Sequence, residues 1–197
     1  MTKELVNRGN KVLSPVLGHF TELEVERAKG SYLYAYNGKK YLDFGAGIAV
    51  NATGHCHPKV VTAIKEQAET LIHGCAGVVY YETNIKLAEK ITQINNGNLD
   101  SIFFTQSGTE AVEAAIKLAQ YTQKKKDIIA FSGGFHGRTL GSLSVTSKKA
   151  YKEGYAMPSN TVHEFPYPYF FQNDAPYNKL SSYLLEKFLQ LMYQYDC

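Results

Sequence analysis

Residues 101–131 read SIFFTQSGTEAVEAAIKLAQYTQKKKDIIAF, and the order of patterns in this stretch decides the fold. The apolar run at 101–105 reads as a buried strand, 109–122 as an amphipathic helix, and 127–131 as a second buried strand. A strand, a helix and a strand in so short a span form a βαβ unit, which builds a parallel sheet with a right-handed crossover. An α/β fold is therefore expected.

Ligands of such sheets bind beyond the carboxyl ends of the strands, where loops face helix N-termini. The junction Ser107-Gly108-Thr109-Glu110 lies at such a place. Its first helical N–H groups have no intrahelical partners, and the aligned peptides add roughly half a positive charge. Gly108 leaves the backbone open, and Ser107 and Thr109 bring hydroxyls, so the turn suits a phosphate. Ser107-x-x-Glu110 also matches a capping box, which satisfies the same N–H groups with no ligand. The two readings can coexist. No Lys-Ser or Lys-Thr follows the glycine and G-x-G-x-x-G is absent, so nucleoside triphosphates and dinucleotides fit poorly. A smaller monophosphate remains.

A second glycine-rich loop, SGGFHGRTLG at 132–141, follows the second strand. Phe135 can lie against a planar ring, and His136 can hydrogen-bond at the ring's edge. Gly137 keeps the turn tight. Arg138 offers a planar fork of donors for a carboxylate. An ordinary loop with a core phenylalanine and a surface arginine is the plainer alternative. Arginine is otherwise rare, with Arg8 and Arg27 its only other occurrences against eighteen lysines.

Upstream, 22–29 and 31–44 have the alternation of strands, with Asn37-Gly38 as a hairpin turn between YLYAY and KKYLDF. Residues 1–18 read as a loose lead-in and 45–57 as a loop. Pro58 opens a helix running to about Thr70, and Thr83 reads as the cap of another. Residues 155–177 show prolines and aromatics without regular spacing, whereas 178–195 read as a helix with one broad apolar face. His55-Cys56-His57 has three potential metal ligands, but neighbours in a turn rarely converge on one ion, so no metal is expected.

The composition is that of a soluble globular protein, 44% hydrophobic and 20% charged over 197 residues. A net charge of +3 with dispersed lysines gives no basis for nucleic-acid binding. No apolar stretch reaches the ~18 residues of a membrane span. Cys56, Cys75 and Cys197 are odd in number and lack metal-finger spacing, so a reduced, cytoplasmic compartment is expected.

The stretches SGTEAVEAAIKLA and FSGGFHGRTLGSL, with YLDFGAGIAVNATGHCHPKVVTAI upstream, resemble the class III aminotransferases. This group includes the 4-aminobutyrate, acetylornithine and ornithine enzymes. The similarity runs from about Glu22 to Pro168 in the family's order and spacing. It implies pyridoxal 5′-phosphate (PLP) on the fold-type-I scaffold, with βαβ units in a mostly parallel sheet preceded by an N-terminal hairpin. Residues 1–45 would belong to the family's small domain and 46–197 to the first part of its PLP-binding large domain.

By this resemblance Ser107, Gly108 and Thr109 would hold the PLP phosphate. Phe135 would stack on the pyridine ring, with His136 beside it. Arg138 would bind the substrate carboxylate, with Ile48 lining the pocket. Cys75 would fall in a segment close to the active site, near the subunit interface. The substrates implied are an amino acid or ω-amine and a 2-oxo acid. The complete enzyme would be a homodimer, with neither nucleic acid nor membrane as partner. The family's cofactor-anchoring lysine and its pyridine-facing aspartate follow further downstream, and no lysine here stands in such a context. No catalytic residue is therefore assigned, and the chain as given is expected to be truncated and inactive. A 4-aminobutyrate type is favoured, with an acetylornithine or ornithine type, or a non-catalytic PLP- or phosphate-binding remnant, as alternatives.

Overall fold

The turn at Asn37-Gly38 forms as its residue types require. Gly38 takes φ +76°, its amide donates to the Ala35 carbonyl, and the Asn37 carboxamide oxygen accepts from the Lys39 amide. A computed structural model of the chain describes residues 3–16, 18–95, 97–158, 162–167, 182, 185, 186, 188–190, 192 and 193. It divides into two compact units, Met1–Glu89 and Lys90–Cys197.

The first unit contains an antiparallel meander of β1 (Val25–Lys29), β2 (Tyr32–Ala35) and β3 (Lys40–Leu42). Tyr32 faces Leu42, Leu33 faces Tyr41, and Tyr34 faces Lys40. Arg27 lies over the Tyr34 ring at 3.7 Å and Lys40 over the Tyr32 ring at 3.6 Å, so cation–π contacts tie neighbouring strands on the wet face. The expected loose lead-in contains a helix, α1 (Glu4–Val12). Its amino end is held in trans, because the Glu24 carboxylate accepts from the Leu5 and Val6 amides, which no local pattern reveals.

After β3 the backbone makes one tight turn, α2 (Ala46–Ala49). All four of its residues have positive φ, from 42° to 64°. For β-branched Ile48 this is a strained conformation. Asp43 pins the turn by accepting from the Ala46 amide at 2.9 Å. Helix α3 (Pro58–Thr70) starts at the predicted proline, and α4 (Glu82–Ile94) follows. Thr83 lies inside α4 rather than capping it; its hydroxyl donates to the Gln67 side chain on α3 at 2.5 Å.

In the second unit, α5 (Gly108–Gln123) and β4 (Ile128–Phe131) match their predicted spans to within a residue. The strand expected at 101–105 is not a strand. No described strand pairs with it, and Phe103 is 80% exposed, so an apolar run alone did not secure a ladder. The parallel partner of β4 is β5 (Val162–Phe165), with Ile128 opposite Val162 and Phe131 opposite Phe165. Strand β5 falls in a segment read as irregular. Its four residues, Val162-His163-Glu164-Phe165, show no apolar–polar alternation, and Pro166 follows directly. The parallel unit is thus β4, α6 (Leu140–Val145), β5, and it carries the second glycine-rich loop within its crossover. Its buried apolar residues are Ala130, Leu143, Val145 and Phe165. Most of the helix expected at 178–195 lies outside the described residues. Those described from 182 to 193 are helical, and Phe188 meets Phe165 edge to face at 5.8 Å between centroids.

Candidate functional site

Ser107 has extended dihedrals and begins α5 as its N-cap. Its hydroxyl accepts from the Glu110 amide at 3.3 Å, and the Glu110 carboxylate accepts from the Gln106 amide at 2.6 Å. The capping reading is therefore correct, with the carboxylate reaching one residue further back than in the usual box. The box leaves the amides of Gly108 and Thr109 without a hydrogen-bond partner among the described residues. A Cβ added at Gly108 would meet nothing within 4 Å. Packing does not demand glycine there; the opening suits close approach of a ligand to the backbone.

Thr109 turns the other way. Its hydroxyl meets Thr139 Oγ1 at 2.8 Å and Ser142 Oγ at 2.5 Å. It also accepts from the Thr139 amide at 3.4 Å. Gly137 packs against the same hydroxyl: it holds φ +133°, and a Cβ there would overlap Thr109 Oγ1 and Ser142 Oγ. The two glycine-bearing turns, far apart in sequence, are therefore bolted together at Thr109. Below them buried Thr146 accepts from the His136 amide and donates its hydroxyl, with the carbonyls of Gly137 and Ser142 both at 3.0 Å.

Phe135 is 60% exposed and touches Tyr151 edge to face, 6.0 Å between centroids. More than half of its surface is thus open to solvent, where a planar ligand can approach. The His136 ring folds back over its own loop, since a Cβ on Gly134 would come 2.7 Å from His136 Nε2. Arg138 is exposed and has no carboxylate partner among the described residues. Ile48 belongs to the first unit, where α2 holds its side chain 89% exposed. Cys75, in the same unit, is an exposed free thiol with φ +56°.

Sequence reading missed Glu113. On α5 the positions Thr109, Glu113, Ile116 and Gln120 recur at helical spacing and are all half-buried. A carboxylate on that inner stripe was the available signal. Glu113 Oε1 accepts from Thr139 Oγ1 at 2.5 Å and from the Ser142 amide at 2.9 Å. The Thr139 hydrogen bond is the main cause that holds its carboxyl below the ordinary glutamate range, against the opposing effect of burial. Gly141 makes room for it, because a Cβ there would overlap the carboxylate.

His55 is used for structure. Its Nε2 meets Asp43 Oδ2 at 2.7 Å and its Nδ1 meets the Asn51 amide at 3.0 Å, so in the neutral ring Nε2 carries the proton and Nδ1 accepts. The His55 hydrogen bond, followed by that of the Ala46 amide, lowers the Asp43 pKa. His57 Nδ1 is buried without a hydrogen bond.

The family model "Aminotransferase class-III" matches residues 14–194. The chain is 42% identical over 151 residues to a probable 4-aminobutyrate aminotransferase of Bacillus subtilis, a match covering 76% of the chain and 35% of the relative. It is 46% identical over 129 residues to an acetylornithine aminotransferase of Archaeoglobus fulgidus, covering 66% and 34%. Its structure is similar to that of the omega transaminase from Pseudomonas jessenii in complex with PMP. There the TM-score is 0.81 and the identity 25%, over 95% of this chain and 42% of the other. The chain thus spans well under half the length of these proteins.

Proposed function

Because this chain belongs to the class-III aminotransferase family, whose members depend on PLP, we propose that the amino end of α5 receives the PLP phosphate. The amides of Gly108 and Thr109 would bind it, with Ser107 at the edge of the cradle. Phe135 would cover the pyridine ring and His136 lie beside it. Arg138 would take the substrate carboxylate, and Ile48 would line the substrate pocket. The observation that carries this reading is the pairing of open backbone at Gly108 with a loop fastened to the adjacent Thr109. When bound, PLP supplies the electron sink for amino-group transfer. The protein's own part is to neutralise the phosphate, orient the ring and hold the carboxylate. In the whole protein this serves transfer from an amino acid or ω-amine to a 2-oxo acid, in a cytoplasmic homodimer. The 197 residues have no lysine in the family's cofactor-anchoring context, so binding without turnover is the activity proposed for the chain by itself.

A ligand without the aldehyde avoids reaction with surface lysines. Pyridoxine 5′-phosphate and pyridoxine are titrated against the chain, read by tyrosine fluorescence, since it has fifteen tyrosines and no tryptophan. The phosphate ester is expected to bind at least about tenfold more tightly. Equal affinities would reject the cradle. Substrate type follows from the relatives' names only as a choice between 4-aminobutyrate and acetylornithine. A panel of amino donors tested on the whole enzyme decides it.

A further inference from the structure

We infer that Glu113 is a positioning residue, which holds the loop bearing Phe135 and Arg138 in place by binding Thr139 and Ser142 from the facing helix. The inference rests on the reading of α5 as a phosphate cradle and deepens it. Thr139 is the N-cap of α6 by position, yet its side chain makes no capping hydrogen bond there. Its hydroxyl points to Glu113 instead, and the Glu113 carboxylate caps α6 in trans through the Ser142 amide.

The hydrogen-bond directions follow from one constraint: an ionised carboxylate only accepts. Thr139 must therefore donate its single hydroxyl hydrogen to Glu113, and toward the hydroxyls of Thr109 at 2.8 Å and Ser142 at 2.9 Å its oxygen can only accept. Glu113 thus fixes the direction of a chain of hydroxyls that ends on the second residue of α5, beside the open amides. Its other partner, Ser142, is fully buried, so its amide has no water to replace the carboxylate. Arg138 stands one residue before Thr139. Where its guanidinium starts from is set by this anchor on one side and by Thr146 on the other. Such partners act at one remove from the ligand, in the way that outer groups orient metal ligands.

The test compares E113A and E113Q with the unchanged chain in two measurements. Ligand-free hydrogen exchange is expected to quicken at least about tenfold over residues 137–142 in E113A, with β1–β3 unchanged. Affinity for pyridoxine 5′-phosphate is expected to fall about tenfold in E113A and to stay within about threefold in E113Q, whose amide oxygen still accepts. Unchanged loop exchange in E113A would overturn the inference and leave the cradle standing. Faster exchange with undiminished affinity would reduce Glu113 to a structural cap, and that also overturns it. If the unchanged chain shows no preference for the phosphate ester, the cradle itself fails, and the positioning role fails with it. Should E113A not fold, Thr139→Val keeps the Glu113 carboxylate on the Ser142 amide, removes the Thr139 hydroxyl's contacts with Glu113, Thr109 and Ser142, and takes the same two measurements.

Discussion

Gly108 and Gly137 are two glycines kept for opposite reasons, and substitution separates them. At Gly137 a methyl group would overlap two hydroxyls, on a backbone that L-residues rarely adopt. G137A is expected to lower the stability of the second unit by roughly 2 kcal/mol, read from urea melts of far-UV circular dichroism. At Gly108 a methyl group meets nothing. G108A should leave the melt within about 0.5 kcal/mol while weakening pyridoxine 5′-phosphate binding severalfold. A phosphate affinity untouched by G108A would count against the cradle. Ile48 makes the converse case, since a β-branched residue at φ 64° with its side chain in solvent has strain and little packing to lose. I48G is expected to raise the melting midpoint of the first unit, through a gain in stability of about 1 kcal/mol if the left-handed strain is relieved in full. It should also weaken substrate binding in the whole enzyme. An unchanged or lower midpoint would mean the turn is not strained as described.

Helix α5 is capped by its own sequence, whereas α6 and α1 are capped by carboxylates from elsewhere in the fold. Loss of the Ser107 hydroxyl in S107A should cost about 1 kcal/mol of stability, the usual value of an N-cap. The pH dependence of α6 has a definite sign. The Glu113 pKa is lower in the folded protein than its ordinary value of 4.5, so its contribution is complete above pH 4.5. That contribution is lost as pH falls from there through the folded pKa, because protonation is disfavoured by folding. Lys117, also on α5, acts in the same direction. Acid unfolding of the second unit followed by circular dichroism should therefore be shallower in E113Q than in the unchanged chain. Equal acid limbs would show that Glu113 is not ionised against Thr139 and Ser142.

At the scale of the molecule, surface area outweighs any single contact. Among the described residues the buried apolar ones are Ala35, Ala130, Leu143, Val145 and Phe165, while Phe44, Phe103 and Ile72 are almost bare. Apolar surface on this scale drives association. The isolated 197-residue chain is expected to bind an apolar dye and to self-associate at micromolar concentration. Light scattering that reports a dye-silent monomer would contradict this. No helix among the described residues is long and apolar enough to cross a membrane.

Local chemistry made several parts of the molecule readable in advance. Asn37-Gly38 has one favoured turn, Pro58 suits only the first helical positions, and Ser107-x-x-Glu110 satisfies a helix end within four residues. In each case the partners are close in sequence, so residue type alone constrains the geometry. The open amides at Gly108 and the exposed fork of Arg138 were legible for the same reason. Pairing of β4 with β5, the missing ladder at 101–105, and the capping of α6 by Glu113 depend on partners twenty or more residues apart. A short apolar run becomes a strand only if another backbone lies beside it, and a carboxylate becomes an anchor only when a distant loop turns its donors inward. Those outcomes required tertiary structure, because the hydrogen bonds that decide them join residues that no local pattern brings together.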